Sequence, residues 1–266
     1  MNILFIEGIP DHRKVKVVRV HPLSGDLQYR YGGNCPLYLH IKHAGWKRQR
    51  IVLDTRPLAM GFESVHCVVN QIANPDLCQI TLEHLSTLMQ EHPDTPVFNA
   101  PQQVFKTRKD RVYETLQDVD GITLPKTLRI TPHSPEDIRK AIESHTGYPA
   151  QVTPCNTYEG HPIALESPKN LLELHAFPLD GRDYYLTQKI EASEIQRIVL
   201  VQGQALQPTH KCFQKIHQRI PLDLMAIEYA RLPDGQLLIT NVSADIPLPE
   251  STEPIVKAIE KKATHV

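Results

Sequence analysis

The chain has 266 residues, of which 41% are hydrophobic and 22% charged, and its formal net charge is -1. That length can bury a substantial core and commonly divides into two or three lobes, while the near-neutral balance leaves no global field to attract nucleic acid or an anionic membrane. The five cysteines are isolated, with no CxxC, and the fourteen histidines form no HExxH, which excludes a recognisable zinc motif and suits a reducing compartment.

The opening MNILFIEGIP predicts an apolar strand. It lacks the basic start and the length of a signal peptide or a membrane span, so a cytoplasmic protein without membrane insertion is expected. KRQR, Lys47 to Arg50, reads as a solvated strand end, and IVLDTRP (Ile51 to Pro57) and VHCVVNQIA (Val65 to Ala73) as buried strands. Asn70 ends its strand as a pocket residue or as a turn former. Next, Asn74 is the expected N-cap and Pro75 the first residue of a helix with Cys78, Leu82, Leu85 and Met89 on one stripe. TPVFN, Thr95 to Asn99, supplies the following strand, and such a strand, helix, strand unit is expected to be parallel.

From Phe98 to Ile130 come Asn99, Pro101, a helix whose charged first turns include Lys109, and a strand opened by Pro125 and Thr127. Thr146 to Leu174 reads as strand, loop, strand and a helix start at Ser167-Pro168. Cys155 and His161 could pair as nucleophile and base, but no third residue is evident to orient them. Tyr184 to Gln207 reads as two strands. In MAIEYARLPDGQLLITNVSAD, Met225 to Asp245, two apolar runs flank Asp234-Gly235, a strong hairpin signal. Strand alternation there puts Asn241 and Ser243 on one face. A last helix is expected over Ile255 to Lys262, after the start signal Ser251-Thr252-Glu253-Pro254. The 22 prolines punctuate these elements rather than forming a tract.

Taken in order, the segments from residue 98 to 245 resemble the ATP-grasp superfamily, whose fold is that of glutathione synthetase. The resemblance implies an α/β (α+β) architecture with a small N-terminal lobe over 1–97, a central lobe over 98–187 and a C-terminal lobe over 188–266, the last two clamping ATP. It implies ATP and magnesium as cofactors. Lys109, Gln188, Ile190, Glu191 and Arg197 then fall at nucleotide positions, Thr153 and Gly160 at phosphate-loop positions, and Glu228, Asn241 and Ser243 at metal positions. Arg197 suits equally an ordinary cross-strand partner of an acid.

The chain departs from the family pattern where charge matters. Thr153 stands in place of a cation, the loop Asn156-Thr157-Tyr158-Glu159 in place of small residues, Asn241 in place of a glutamate and Ser243 in place of an asparagine. Magnesium favours carboxylate and phosphate oxygens. Two function classes follow. One is a degenerate, non-catalytic binding or scaffold subunit, with weak or absent magnesium-ATP binding and a surface for a protein partner. The other is an ATP-dependent carboxylate-amine or carboxylate-thiol ligase that works through an acyl-phosphate on an unidentified small-molecule acceptor.

Overall fold

A computed structural model describes residues 1–20, 27–54, 56, 61–155, 163–167, 179, 181–192, 194–207 and 210–264, without the side chains of 16–20 and 27–29. The chain forms two compact units. The first comprises Met1–Thr107, Ile198–Ala226 and Ser243–Val266, and the second Arg108–Arg197 and Ile227–Val242.

In the first unit, β1 (Asn2–Gly8), β4 (Lys47–Leu53), β5 (Cys67–Asn70) and β6 (Val97–Phe98) form a parallel sheet in the order β4-β1-β5-β6, and β2 (Val15–Val20) pairs with β3 (Leu27–Tyr31) in a separate antiparallel ribbon. Ile3, Leu4, Phe5 and Ile6 are at most 1% exposed. A parallel strand covered on both faces reads as such a continuous apolar run. The helix α2 (Gln79–Glu91) connects β5 to β6 and buries Leu82, Leu85 and Met89, the expected stripe. The last helix, α7 (Glu253–Thr264), packs on β5 and β6 and buries Ile255, Ala258 and Ile259. Burial pushes the thiols of Cys35, Cys67 and Cys78 up to about 12, so none of them is a ready nucleophile.

Two local expectations are corrected here. β4 is the outermost strand of its sheet, and only Leu53 in it is buried. Its basic start is also engaged: Arg50 forms an ion pair with the buried Glu7 at 2.7 Å, and Arg48 donates to the carbonyl of Tyr38 at 3.0 Å. A buried carboxylate needs such a partner. The second correction concerns α2, which begins at Gln79 rather than at Pro75. The Asn74 side chain accepts from the N–H groups of Asp76 and Leu77 and so holds a preceding turn, whereas Asp11, from a distant loop, accepts from the N–H groups of Gln79 and Ile80 at 3.0 and 3.2 Å. The orphan donors of the first helical turn are thereby satisfied.

Asn70 is a turn former: its Oδ1 accepts from the N–H of Ile72 at 2.9 Å. Its Nδ2 donates to the carbonyl of Asn99. Asn99, at φ 58, uses its own amide to bond both backbone groups of Leu224, a conformation that asparagine tolerates better than most residues.

The second unit is built on the antiparallel order β10-β9-β11-β8, from β8 (Thr127–Ile130), β9 (Ala150–Pro154), β10 (Ile163–Leu165) and β11 (Tyr184–Gln188). One face carries Ala150, Val152, Tyr184 and Leu186, which pack with Ile138 and Ile142. Ile138 lies on α5 (Pro135–Ala141), capped reciprocally by Ser134 and Asp137, the capping-box arrangement. The unit also holds α4 (Lys109–Leu116) and β7 (Ile122–Thr123), which pairs in parallel with β15 (Leu237–Ser243). β15 follows β14 (Leu224–Arg231) across the expected hairpin turn. There Gly235 has φ 85, and Asp234 Oδ1 accepts from the N–H of Gln236 at 2.9 Å. Glycine enters that left-handed region at little cost.

Candidate functional site

Strand ends and one helix of the second unit surround a cavity of about 300 Å³. Lys109 reaches it from the first residue of α4, Thr127 from the first residue of β8, Gln151 from β9, Thr187 and Gln188 from the end of β11, Ile190 from the segment beyond, and residues 238–242 from β15. Alternation explains the split along β9 and β11, where Val152 and Leu186 point into the core while Gln151 and Thr187 line the cavity.

Of the residues singled out from the sequence, Lys109, Gln188, Ile190 and Asn241 line this cavity. Glu191, Thr153, Arg197 and Glu228 are not among its walls. Arg197 instead forms an ion pair with Glu228. Ser243 belongs to the first unit, where its Oγ accepts from the N–H of Asp245 at 2.8 Å. Gly160, His161, Pro168 and the loop residues Asn156 to Glu159 lie outside the described residues. Gln151, Thr187 and Thr240 were not singled out. Gln151 shares the alternation face of Thr153, so that spacing carried a signal; Thr187 and Thr240 carried none.

The electrostatics of the walls are one-sided. Their charged members are Lys109 and Lys189, and no carboxylate lines the cavity among the described residues. Lys189 is compensated by an ion pair with Glu166, whose hydrogen bond raises the ammonium above its ordinary value. Lys109 lies 5.9 Å from the centroid of the Tyr185 ring and has no carboxylate within ion-pair distance among the described residues. Thr187 Oγ1 is buried at the wall and has no hydrogen-bond partner among the described residues. An orphaned hydroxyl of this kind is costly unless a ligand or water completes it.

These walls fit a nucleotide. Leu124, Ile190, Ile195 and Leu238 offer apolar surface for a ring, Thr187 offers a hydrogen bond, and Lys109 offers a cation for phosphate. They do not fit magnesium. Asn241, the one metal-position residue among the walls, is neutral, no carboxylate lines the cavity, and no group of three or more His, Cys, Asp or Glu side chains that could hold a metal ion occurs among the described residues.

With its parallel and antiparallel sheets, the chain has the ATP-grasp fold. It is similar to D-alanine–D-alanine ligase from Bacillus anthracis, with a TM-score of 0.64 and 11% identity over 99% of this chain and 97% of the ligase. That ligase has also been solved in complex with ATP. A RimK domain ATP-grasp protein from Sphaerobacter thermophilus is similar at a TM-score of 0.57 and 17% identity, over 82% of this chain and 89% of that one. The macrocyclase MdnC from Microcystis aeruginosa, solved with the precursor peptide MdnA, matches at a TM-score of 0.57 and 13% identity over the whole of both chains. No protein-family model and no curated protein sequence matches the chain. No helix among the described residues is long and apolar enough to cross a membrane.

Proposed function

We propose that this protein is a non-catalytic ATP-grasp-fold subunit that binds a nucleotide weakly through the cavity of its second unit and serves as a binding or scaffold component. One observation carries the reading: the cavity wall presents the uncompensated Lys109 to an anionic ligand while offering no carboxylate to a metal, among the described residues. Phosphoryl transfer needs cations placed in advance around the developing charge, and one lysine is a thin provision for it. Losing a charge-assisted bond weakens a site by about 1.5–3 kcal/mol. With Thr153 and Asn241 both neutral, a micromolar affinity should therefore fall to roughly the millimolar range.

A ligase reading is the alternative, in which an acyl-phosphate passes its acyl group to an amine or thiol. It is favoured by the same Lys109, and by neighbours in fold that are ligases or bind a precursor peptide. The five scattered cysteines, all of them free, are in keeping with a reducing, cytoplasmic compartment. The test is ATP turnover against a panel of amino acids, thiols and peptides, alongside calorimetry with ATP. Weak ATP heat and no turnover is the expected result; turnover above the buffer rate overturns the non-catalytic reading in favour of the ligase.

A further inference from the structure

Three polar side chains of the second unit stand in one row across three strands. In the antiparallel register, Thr187 of β11 lies opposite Gln151 of β9 on one side and Thr127 of β8 on the other. Residues directly opposite have Cβ atoms about 4.5–5.5 Å apart, and all three line the cavity. Their hydrogen bonding is uneven. Thr127 Oγ1 donates to the carbonyl of Pro125 at 3.1 Å. Thr187 Oγ1 is buried without a partner, and Gln151 beside it makes no side-chain hydrogen bond among the described residues. A hydroxyl and an amide are therefore left next to each other on the cavity wall. We propose that Gln151 and Thr187 read the 6-amino edge of an adenine ring, so that side chains select the base in this chain. This rests on the nucleotide reading above.

The chemistry of the pair favours that edge. An amide offers one acceptor and two donors, and a hydroxyl plays both parts. Glutamine matches adenine in two-pronged fashion, its oxygen accepting from the 6-amino group while its nitrogen donates to a neighbouring ring nitrogen. The second amino hydrogen then remains for Thr187 Oγ1, where an unmade bond is costly because the atom is buried. Guanine suits these walls less well. Its N1–H and 2-amino group present adjacent donors whose complement is a carboxylate, and no carboxylate lines the cavity among the described residues. The row is also set apart from the cation. Lys109 Nζ stands 5.9 Å from the ring of Tyr185, which shares the face of Thr187 on β11 and precedes it by roughly 7 Å along the strand. Hydroxyl and cation can thus meet different ends of one ligand. If water alone completes the Thr187 hydroxyl, the row makes no distinction between bases.

Calorimetric titration of the full chain with ATP, GTP and purine riboside triphosphate, which lacks the 6-amino group, separates these accounts. A matched two-pronged contact discriminates by about fivefold or more, so the wild type should bind ATP tighter than either analogue by at least that factor. Gln151→Leu and Thr187→Val should each weaken ATP and narrow its lead over purine riboside triphosphate. Thr187→Val replaces an orphaned hydroxyl by a methyl group and should melt no lower than the wild type, which keeps the test decisive should Gln151→Leu fail to fold. Equal wild-type affinity for ATP and purine riboside triphosphate, tighter binding of GTP, or a Thr187→Val variant with the full wild-type preference for ATP overturns the inference while leaving the nucleotide reading intact. No heat from any of the three triphosphates overturns the nucleotide reading and the inference with it.

Discussion

Replacing Lys109 by methionine separates ligand binding from folding. The methionine keeps an apolar stem of similar length and loses only the charge, so packing along the stem is retained. The folded chain loses little by the change. Lys109 Nζ is 5.9 Å from the Tyr185 ring centroid, near the outer limit of cation–π attraction, which contributes about 0.5–1 kcal/mol at exposed sites. A loss of that size lowers the melting temperature by no more than about 2–4 °C in a chain this long. Binding should suffer far more. A charge-assisted bond to phosphate contributes about 1.5–3 kcal/mol, equivalent to roughly a 10- to 150-fold fall in affinity. The assay is calorimetry in EDTA with ATP and, as the control, adenosine. ATP should weaken by that factor while adenosine, which has no phosphate, keeps its affinity. Equal weakening of both ligands would show that Lys109 shapes the cavity rather than meeting charge, and unchanged ATP affinity would remove it from the site altogether.

Two further outcomes follow from local geometry. Burial opposes ionisation of Asp183, but hydrogen bonds from Thr131 Oγ1 at 2.5 Å and Arg129 Nε at 2.7 Å outweigh it and hold the carboxyl below its ordinary range. A carboxylate depressed in the folded state stabilises it above the unfolded value of about 3.9, and that contribution is lost as the pH falls through the folded value. Asp183→Asn should therefore melt about 2–4 °C below the wild type at neutral pH, with the gap closing as the pH falls below the unfolded value and through the lower folded one; a gap that stays constant throughout acid titration refutes the charge argument. At the hairpin, Gly235 has φ 85 and nothing stands within 4 Å of where a Cβ would lie. Gly235→Ala should thus lose about 1–2 kcal/mol from backbone strain alone. Gly235→Asn should lose less, and a denaturant midpoint for the alanine variant equal to that of the wild type refutes this account.

What could be read in the sequence was whatever depends on neighbours along the chain. The run Ile3 to Ile6 announces a strand covered on both faces, and Asp234-Gly235 announces its hairpin, because each signal is complete within a few residues. The start of α2 could not be read in this way. The carboxylate that caps it belongs to Asp11, 68 residues from Gln79, so the local Asn74-Pro75 signal took precedence on paper and marks only a turn. The exposure of β4 depends on its place at the edge of the sheet order, which no local pattern records. The same limit applies to the cavity. Lys109, Gln188, Ile190 and Asn241 were singled out from their order in a resemblance, whereas Thr187 and Thr240 reach the walls only through the convergence of β11 and β15. For Arg197 two readings stood side by side, and its partner Glu228 lies 31 residues away on another strand.

Fold and chemistry are carried by opposite faces of the same strands in the second unit, and this separation explains how one can change without the other. On β9, Ala150 and Val152 are fully buried, while Gln151 and Thr153 are only partly covered; on β11, Leu186 is fully buried and Thr187 partly so. Removing a fully buried side chain such as Leu186 leaves a cavity and costs about 2–5 kcal/mol, a large part of the whole stability of a domain. Exchanging a partly covered polar side chain for another usually changes stability by about 0.5 kcal/mol or less. Replacements at Thr153 and Asn241 therefore meet little resistance from the fold, even where they alter what the cavity can bind. The ATP-grasp architecture constrains the core face of these strands tightly and their cavity face hardly at all, so the activity of this chain has to be argued from Lys109, Thr187 and the other cavity-wall side chains themselves rather than from the fold that displays them.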